Sequence, residues 1–203
     1  MRSKKAKNIK IILASVSPRR KELLRVLLSN FGLKFVVKPA NIAEYIPKKR
    51  VKYGKFAADL AFLKAAEVAK KNEGLIIGAD TIVVFNGRIL GKPANKKEAA
   101  RMLRLLSGNE HRVFTGLAMI DKRKQFIYRT FEITFVKFRK LTGKEIAFYT
   151  STGSPLDKAG AYGIQDDFGS TFVERIRGDY FNVVGLPILK TYLGLEKHLG
   201  LMK

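Results

Sequence analysis

The residue whose position most favours catalysis is an aspartate that directly follows a small apolar run. Residues 75–79 read Leu-Ile-Ile-Gly-Ala, and Asp80 comes next. The run predicts a buried strand, and ligands bind at the carboxyl ends of strands in open α/β sheets. A carboxylate there can hold a divalent metal ion or accept a proton from water. On spacing alone, an aspartate that caps a turn at a strand end is the more common explanation.

The turn between the first predicted strand and the first predicted helix has the features of an anion site. Ser17 is a favourable N-cap residue, and Pro18 suits the first helical position because its missing N–H needs no partner there. The helix dipole and the N–H groups of the first turn favour phosphate. Ser15, Arg19 and Arg20 lie in the same turn, and arginine donors match phosphate oxygens. The alternative is an ordinary capped helix with exposed basic residues.

Three further polar residues are candidates whose spacing leaves their roles open. Lys92 sits on a rigid Gly-Lys-Pro turn and could reach a phosphate, although exposed lysines are common in this chain. Glu44 lies in a basic loop and, with Glu22, is one of two acids among the first 58 residues; it is either a metal ligand or a charge-balancing surface residue. Gln165 ends a glycine-rich segment, and its amide can read a base edge unless that segment is only a tight crossing of the core.

Composition limits the chemistry that the chain can perform. Its 203 residues suggest one domain, and 46% hydrophobic content is enough to bury a core, which excludes disorder of the whole chain. The absence of Cys excludes disulfide scaffolds and thiol catalysis, and two His argue against a multi-His metal site. A bound metal would therefore rest on carboxylates, which favours Mg²⁺ or Mn²⁺.

The charge of the chain is strongly positive. There are 40 Lys and Arg residues against 17 Asp and Glu, a formal charge of +23. Such a charge favours nucleic acid, nucleotides, phosphorylated metabolites or an acidic membrane surface as partners, and it is equally typical of surface lysines that serve solubility or heat resistance. No stretch approaches the roughly 20 apolar residues of a membrane span, and the basic start lacks a signal-peptide cleavage site. We therefore expect a cytoplasmic protein with no membrane partner.

Apolar periodicity predicts the elements that must position these side chains. Predicted strands are 9–14, 35–37, 75–78 with a continuation at 81–85, 88–90, 112–120 and 126–138. Predicted helices begin at Pro18 and near Lys55, and further helices are 96–106, 142–149 and 186–199. Asn86-Gly87 predicts a type I′ hairpin, and residues 152–182 show only short apolar runs. The mixture indicates an α/β or α+β fold with a mixed sheet.

Seven segments, taken in order, resemble the Maf-like nucleotide pyrophosphatases. They are Ala14-Ser-Val-Ser-Pro-Arg-Arg-Lys-Glu-Leu-Leu, Gly78-Ala-Asp-Thr-Ile-Val-Val, Leu90-Gly-Lys-Pro, Leu106-Ser-Gly, Thr115-Gly, Asp157-Lys-Ala-Gly-Ala-Tyr-Gly-Ile-Gln and Asn182-Val-Val-Gly-Leu-Pro. The sixth segment is similar to that of the branch that hydrolyses dTTP and UTP. The resemblance covers residues 10–195. It implies a curved mixed β-sheet flanked by helices, with two lobes around a cleft, as a single domain over 1–203 whose residues 1–8 are a basic extension.

The resemblance also implies roles for individual residues. It makes Asp80 the proton acceptor, and it makes Glu44, with Asp80, the ligand of Mg²⁺ or Mn²⁺. The base would be chosen by Arg19, Thr81 and Gln165, and the triphosphate would be surrounded by Ser15, Arg20, Lys64 and Lys92. Two positions depart from the family pattern: Ala43 replaces the first acid of an Asp-Glu pair, and Ser154 stands where the family often has Glu.

The activity implied by the resemblance is hydrolysis of dTTP and UTP to the nucleoside monophosphate and diphosphate. Water would attack the α-phosphorus with help from the metal, in an enzyme that cleans the nucleotide pool. An alternative in the same enzyme class is a broader pyrophosphatase that removes modified pyrimidine nucleotides. A homodimer is expected by family analogy. The alternative is a basic nucleic-acid-binding or cell-division regulatory protein with little hydrolase activity. Against nucleic-acid binding, the aromatic residues alternate as core residues do, and no nucleic-acid-binding module is visible.

Overall fold

The computed structural model describes residues 9–42, 45–47, 51–165 and 168–202. Glu44, Ala43 and the basic extension at 1–8 lie outside the described residues. The strands are β1 (Ile11–Leu13), β2 (Phe35–Val37), β3 (Leu75–Phe85), β4 (Arg88–Leu90), β5 (Glu110–Asp121), β6 (Phe126–Phe138) and β7 (Val173–Gly178). The helices are α1 (Pro18–Ser29), α2 (Tyr53–Ala69), α3 (Lys96–Leu106), α4 (Gly143–Ser151), α5 (Tyr180–Val184) and α6 (Ile188–Leu199), with 3₁₀ turns at Ser154–Asp157, Ala159–Ala161 and Phe168–Phe172. None of these helices is both long and apolar enough to cross a membrane.

The strands form one mixed sheet in the order β2-β1-β3-β5-β6-β7, with β4 paired to β3. The first three strands in that order are parallel, and every pairing beyond β3 is antiparallel. This confirms the predicted α/β fold with a mixed sheet. It also places the change from parallel to antiparallel pairing at β3.

One edge of β3 changes partner part-way along the strand. Residues 75–77 pair with β1 and residues 83–85 pair with β4, while the opposite edge pairs continuously with β5. Within the described residues, 78–82 therefore have no strand beside them on the first edge. Asp80 lies at the centre of this gap. The predicted strand end at Asp80 is wrong for β3 itself, which continues to Phe85, because β4 takes up the pairing that β1 leaves.

Helices cover both faces of the sheet. Successive side chains of a strand point to opposite faces, and β1 follows this rule. Ile11 and Leu13 pack with α1 and α6, whereas Ile12 and Ala14 pack with α2. β1 therefore carries apolar residues at every position, as is typical of parallel strands that are covered on both sides.

Two glycines let α2 lie directly on the sheet. A Cβ on Gly78 in β3 would clash with the carbonyl of Ala61, and one on Gly116 in β5 would clash with that of Ala57. The facing side of the helix carries small buried alanines, namely Ala57, Ala61 and Ala65. The close contact sets the distance between α2 and β3. That distance determines which groups of the sheet the side chains of α2 can contact.

A second cluster of buried residues lies beyond the gap. It joins the far ends of β3, β5 and β6 to α3, α4 and the 3₁₀ turns, and its members include Met102, Leu103, Val113, Phe138, Tyr149 and Phe172. The β1–α1 unit packs in a separate cluster with α6. Two lobes thus flank the gap along β3, as the fold class implied.

Most predicted elements are confirmed, and most of the errors fall in residues 152–182. The hairpin at Asn86-Gly87 has φ of 47° and 76°, the pair of positive angles that a type I′ turn needs. Residues 152–182 contain β7, most of α5 and three 3₁₀ turns that the apolar pattern does not predict. β7 reads Val-Glu-Arg-Ile-Arg-Gly at the sheet edge with no buried residue, and α5 has five residues, so neither carries an apolar repeat. The last helix begins at Ile188, after Pro187, rather than at Leu186.

Candidate active site

The gap along β3 opens into a cleft of about 600 Å³. Its lining includes the β1–α1 turn, the segment after β2, α2, β3, the segment after β4, the segment 157–165 and the end of α5. The structure brings to this cleft all eight described candidates, which are Ser15, Arg19, Arg20, Lys64, Asp80, Thr81, Lys92 and Gln165. The ninth candidate, Glu44, lies outside the described residues. Residues up to 150 positions apart in the sequence thus share one cavity.

Asp80 and Lys64 form an ion pair on the floor of the cleft. The Lys64 Nζ contacts the Asp80 Oδ1, and the two side chains are 13% and 10% exposed. The contact follows from the close approach of α2 to the sheet at Gly78 and Gly116. Charges that are this shielded from water interact more strongly than surface charges. The pair therefore fixes the direction of the Asp80 carboxylate.

Arg20 donates hydrogen bonds to acceptors in at least three different parts of the chain. Its Nε donates to the carbonyl of Gly185 at 2.8 Å, its Nη1 to Ser15 Oγ at 3.3 Å and its Nη2 to Thr81 Oγ1 at 3.0 Å. Ser17 caps α1 as predicted, since its Oγ accepts from the Arg20 N–H at 3.4 Å. The guanidinium is thereby directed across the helix N-terminus toward β3.

Arg19 contacts the opposite wall of the cleft. Its Nη1 lies 3.3 Å from Asp157 Oδ2, and the Lys158 Nζ donates to the other oxygen, Oδ1, at 2.9 Å. Burial alone raises the pKa of Asp157, but hydrogen bonds and charge from Lys158 and Arg19 outweigh it and lower that pKa below its ordinary value. An ionised Asp157 therefore joins α1 to the segment that carries Gln165.

The segment 157–165 is held in place by buried rings. The Tyr162 hydroxyl lies 2.8 Å from His111 Nε2, and the Tyr149 hydroxyl accepts from the Gly163 N–H at 3.3 Å. Burial lowers the pKa of His111 to about 3, so the ring is neutral near pH 7. Gln165, three residues after Tyr162, is exposed at the rim of the cleft, and so is Lys92. The Gly160 N–H donates to the carbonyl of Gly91 at 3.1 Å, which ties the two rim segments together.

The similarity of the chain to known proteins agrees with this geometry. The model of the family described as "Maf-like protein" matches residues 10–198. The chain belongs to the Maf-like family. It is 50% identical to the dTTP/UTP pyrophosphatase of Alkaliphilus oremlandii (strain OhILAs), over 93% of this chain and 95% of that protein. It is 49% identical to the dTTP/UTP pyrophosphatase of Thermoanaerobacter sp. (strain X514), over 91% and 94%.

Solved structures show a weaker similarity. The Ham1 protein of Staphylococcus aureus aligns with a TM-score of 0.48 and 13% identity, over 92% of this chain and 99% of that one. An overlap this weak carries no argument about function. The assignment of this Maf-like chain to its family therefore depends on the sequence comparisons.

The oxygen donors in the cleft suit a hard divalent cation. Magnesium is commonly held by one or two carboxylates together with substrate phosphates and water. Asp80 supplies one such carboxylate in the cleft of this Maf-like protein. Within the described part of the chain no three His, Asp or Glu residues lie close enough to hold a metal by themselves. The donor set thus fits an ion that shares its ligands with a phosphate substrate.

Sequence reasoning missed two residues that support this Maf-like site. Thr115 and Asn182 are fully buried, and they continue the hydrogen-bond network that begins at Arg20 and Thr81. Both residues lie in motifs that resemble the family, Thr115-Gly and Asn182-Val-Val-Gly-Leu-Pro, and this position is the sequence feature that points to them. The sequence places Asp157 in a glycine-rich segment but does not predict its ion pair with Arg19, because the two residues are 138 positions apart.

Proposed function

We propose that this chain is a nucleoside triphosphate diphosphatase that hydrolyses dTTP and UTP, and modified pyrimidine nucleotides, to the monophosphate and diphosphate. The observation that carries the proposal is the convergence of Asp80, Lys64, Arg20 and Lys92 in one cleft of a Maf-like chain. Relatives about 50% identical over nearly the whole chain bear the name dTTP/UTP pyrophosphatase. The activity implied by those names agrees with a cleft that combines one buried carboxylate with several cations.

The basic residues would bind the triphosphate. A triphosphate repels an anionic nucleophile until the charge on its oxygens is offset. Arg20 is held by protein acceptors before any substrate binds, and Lys64 and Lys92 approach from α2 and from the segment after β4. These three cations would offset charge on the triphosphate and on the departing pyrophosphate, with Ser15 adding a hydroxyl.

Asp80 would accept the proton from the attacking water. A bond forms between the water oxygen and the α-phosphorus, and the bond from that phosphorus to the bridging oxygen breaks. The electron pair of the broken bond leaves with pyrophosphate, and the water proton passes to the Asp80 carboxylate. The contact with Lys64 holds that carboxylate in one orientation in the apoprotein.

A divalent cation, Mg²⁺ or Mn²⁺, would be held by Asp80 and Glu44 together with phosphate oxygens. When bound, the ion would offset phosphate charge and acidify the attacking water. Ala43 leaves this chain one carboxylate short of the Asp-Glu pair that the family resemblance implies. We infer that the substrate supplies a larger share of the ligands here.

Arg19, Thr81 and Gln165 would select the pyrimidine. Uracil and thymine present the same edge, with an N3–H donor between two carbonyl oxygens, and the Gln165 amide offers both a donor and an acceptor. Arg19 reaches the same segment through Asp157. The proposal further includes a cytoplasmic location, a single domain over the whole chain, and a homodimer that acts in cleaning the nucleotide pool.

The proposal is tested by pyrophosphate release from a panel of nucleoside triphosphates with Mg²⁺ or Mn²⁺. The panel contains dTTP, UTP, CTP, dATP, GTP, 5-methyl-UTP and pseudo-UTP. We expect turnover of dTTP, UTP and their modified forms, and little turnover of purine nucleotides. DNA binding is measured in parallel as a function of salt concentration, because the charge of +23 permits contacts with phosphate backbones. Tight, salt-sensitive DNA binding with no hydrolysis would overturn the proposal.

A further inference from the structure

Two buried polar residues have no part in the chemistry proposed above. Thr115 and Asn182 are each 0% exposed, and neither is among the described residues that line the cleft. A buried polar side chain lowers stability unless its hydrogen bonds are made. The hydrogen-bond partners of these two side chains therefore indicate the role of each residue.

Thr115 and Asn182 end a directed chain of hydrogen bonds that starts at Arg20. Arg20 Nη2 donates to Thr81 Oγ1 at 3.0 Å, and Thr81 Oγ1 lies 2.9 Å from Thr115 Oγ1. Thr115 Oγ1 donates to the carbonyl of Asn182 at 2.8 Å. Because a hydroxyl has one hydrogen, Thr115 must accept from Thr81. All three bonds thus run in one direction, from the guanidinium into the core.

The side chain of Asn182 fixes α5 to the sheet. Its Nδ2 donates to the carbonyl of Val113 in β5 at 3.1 Å and to Thr134 Oγ1 in β6 at 2.9 Å. Thr134 Oγ1 in turn donates to the carbonyl of Asp179, the residue that caps α5, at 2.7 Å. The position of this short helix is therefore set by β6 and by β5, the strand that also carries Thr115.

The same helix holds Arg20 at a second point. The carbonyl of Gly185, the residue that follows α5, accepts from Arg20 Nε at 2.8 Å. The last carbonyls of a helix lack intrahelical donors, and a cation satisfies them well. Gly185 has φ of 120°, a backbone conformation that favours glycine. Arg20 is thus bound to α5 directly through Gly185 and indirectly through two threonine hydroxyls.

We propose that Thr115 and Asn182 are positioning residues that orient Arg20 for the triphosphate without touching the substrate. The inference rests on the proposed function, since it takes Arg20 as a phosphate contact. An arginine that is ordered in advance loses less conformational freedom when a phosphate binds. The two residues also give the motifs Thr115-Gly and Asn182-Val-Val-Gly-Leu-Pro a role.

The test removes one hydroxyl from the chain and keeps the shape of the side chain. Thr115→Val breaks both bonds of Thr115, whereas Thr115→Ser retains the hydroxyl. Thr191→Val is the matched control, because Thr191 is also 0% exposed and its hydroxyl donates to a backbone carbonyl, that of Pro187, outside the chain of bonds. Each substitution is made in the wild-type protein and in an Arg20→Lys background. The readouts are kcat and KM for UTP, and the affinity for inorganic pyrophosphate by calorimetry.

In the wild-type background we expect Thr115→Val to lower kcat/KM about tenfold and to weaken pyrophosphate binding about fivefold, the size typical of one lost oriented contact. Thr115→Ser and Thr191→Val should each stay within about twofold of wild type in both readouts. In the Arg20→Lys background Thr115→Val should change neither readout by more than about twofold, because residues that act through one group are not additive.

Two results would overturn the inference: equal effects of Thr115→Val and Thr191→Val, or an undiminished effect of Thr115→Val in the Arg20→Lys background. A wild-type protein that binds no pyrophosphate also overturns it. If Thr115→Val does not fold, as judged by thermal melting, Thr115→Ala replaces it. Pyrophosphate binding can be measured without hydrolysis. A protein that binds pyrophosphate but hydrolyses no nucleotide would disprove the proposed function. The double-mutant cycle on pyrophosphate affinity would still test this inference in that case.

Discussion

The Lys64 Nζ contacts the Asp80 Oδ1 across the interface between α2 and β3, and the two glycines beneath the helix make this contact possible. A larger residue at Gly78 or Gly116 would lift α2 away from the sheet. The ion pair therefore depends on the close approach of the α2 backbone to the sheet. Packing at two glycines sets the position of the carboxylate to which we assign proton transfer.

Replacing Asp80 should remove most of the activity and little of the binding. Asp80→Asn keeps the shape of the side chain but cannot take the water proton, so we expect kcat to fall about 10²–10⁴-fold with KM within about threefold of wild type. Steady-state kinetics with UTP measure both. Asp59→Asn is the control, since Asp59 lies on α2 and pairs with Arg129 outside the cleft. Near-normal turnover of Asp80→Asn would remove Asp80 from the catalytic role.

Enlarging Gly116 should damage stability and catalysis together. A Cβ there meets the backbone of Ala57, and overpacking of this kind costs about 1–3 kcal/mol. We expect Gly116→Ala to lower the urea midpoint and to reduce kcat as Lys64 moves away from Asp80. Gly143→Ala is the matched control, because Gly143 begins α4 with open space around it, and alanine there should leave stability equal or higher by up to about 1 kcal/mol. Equal effects of the two substitutions would show that α2 does not depend on this contact.

Burial of His111 should make the protein less stable in mild acid. Burial lowers its pKa from the ordinary value of 6.5 to about 3, so the unfolded state binds more protons below pH 6.5. The stability present above pH 6.5 is therefore lost as the pH falls toward 3. Between pH 7 and pH 5 one such histidine should lower the unfolding free energy by about 2 kcal/mol.

Comparison of the wild type with His111→Gln isolates this contribution. Gln can still bond the Tyr162 hydroxyl but does not titrate between these pH values. His198 also has a lowered pKa, because burial outweighs its hydrogen bond to the Asp121 carboxylate, and it contributes in the same direction in both proteins. Urea unfolding at pH 7 and pH 5 should show a smaller loss for His111→Gln. An identical loss of unfolding free energy in both proteins would show that groups other than His111 cause the acid sensitivity.

The sequence was informative where an element has a strong local signal. Ser17 and Pro18 define the start of α1, Asn86-Gly87 defines the hairpin, and the capping box of Thr142 and Glu145 begins α4. Each of these signals acts through the backbone of its own segment, so a single sequence is enough to predict them. Residue types and positions singled out most of the cleft candidates but left a structural alternative for each of those, whereas Lys64 and Thr81 were identified only through the family resemblance.

Long-range polar contacts could not be predicted from the sequence. The bond from Thr115 to Asn182 spans 67 residues, and the ion pair of Arg19 and Asp157 spans 138. Neither pair shows any periodicity, because its geometry exists only after the sheet and its flanking turns have formed. The strand β7 was missed for a related reason, since an exposed edge strand carries polar residues that resemble a loop.

Removal of divalent metal should abolish hydrolysis. We expect no turnover after treatment with EDTA and recovery on addition of Mg²⁺ or Mn²⁺, since a bound divalent cation would offset the charge on the triphosphate oxygens and acidify the attacking water. Glu44→Gln should raise the Mg²⁺ concentration needed for half-maximal rate about fivefold or more, as loss of one ligand predicts. Glu22→Gln is its control, because Glu22 is an exposed acid paired with Arg25. Full activity in EDTA would disprove the metal requirement.

Breaking the ion pair across the cleft should impair substrate selection and leave stability nearly unchanged. Asp157→Asn removes the charge that holds Arg19, and because the Asp157 side chain is 59% exposed the pair should contribute less than about 1 kcal/mol to stability. We expect KM for UTP and dTTP to rise about three- to tenfold, with a smaller change in kcat, because Arg19 and Gln165 are no longer held against the base.

The UTP-to-CTP ratio of kcat/KM measures this loss of selectivity directly. Asp157→Asn should lower the ratio, since contacts that read the base edge discriminate between bases while contacts to phosphate do not. Arg19→Ala should lower it to a similar value, and combining the two substitutions should add little, because both remove the same contact. Glu22→Gln, which breaks the exposed ion pair with Arg25 on the same helix, should leave the ratio at its wild-type value. A normal ratio in Asp157→Asn would show that the pair of Arg19 and Asp157 has no part in choosing the base.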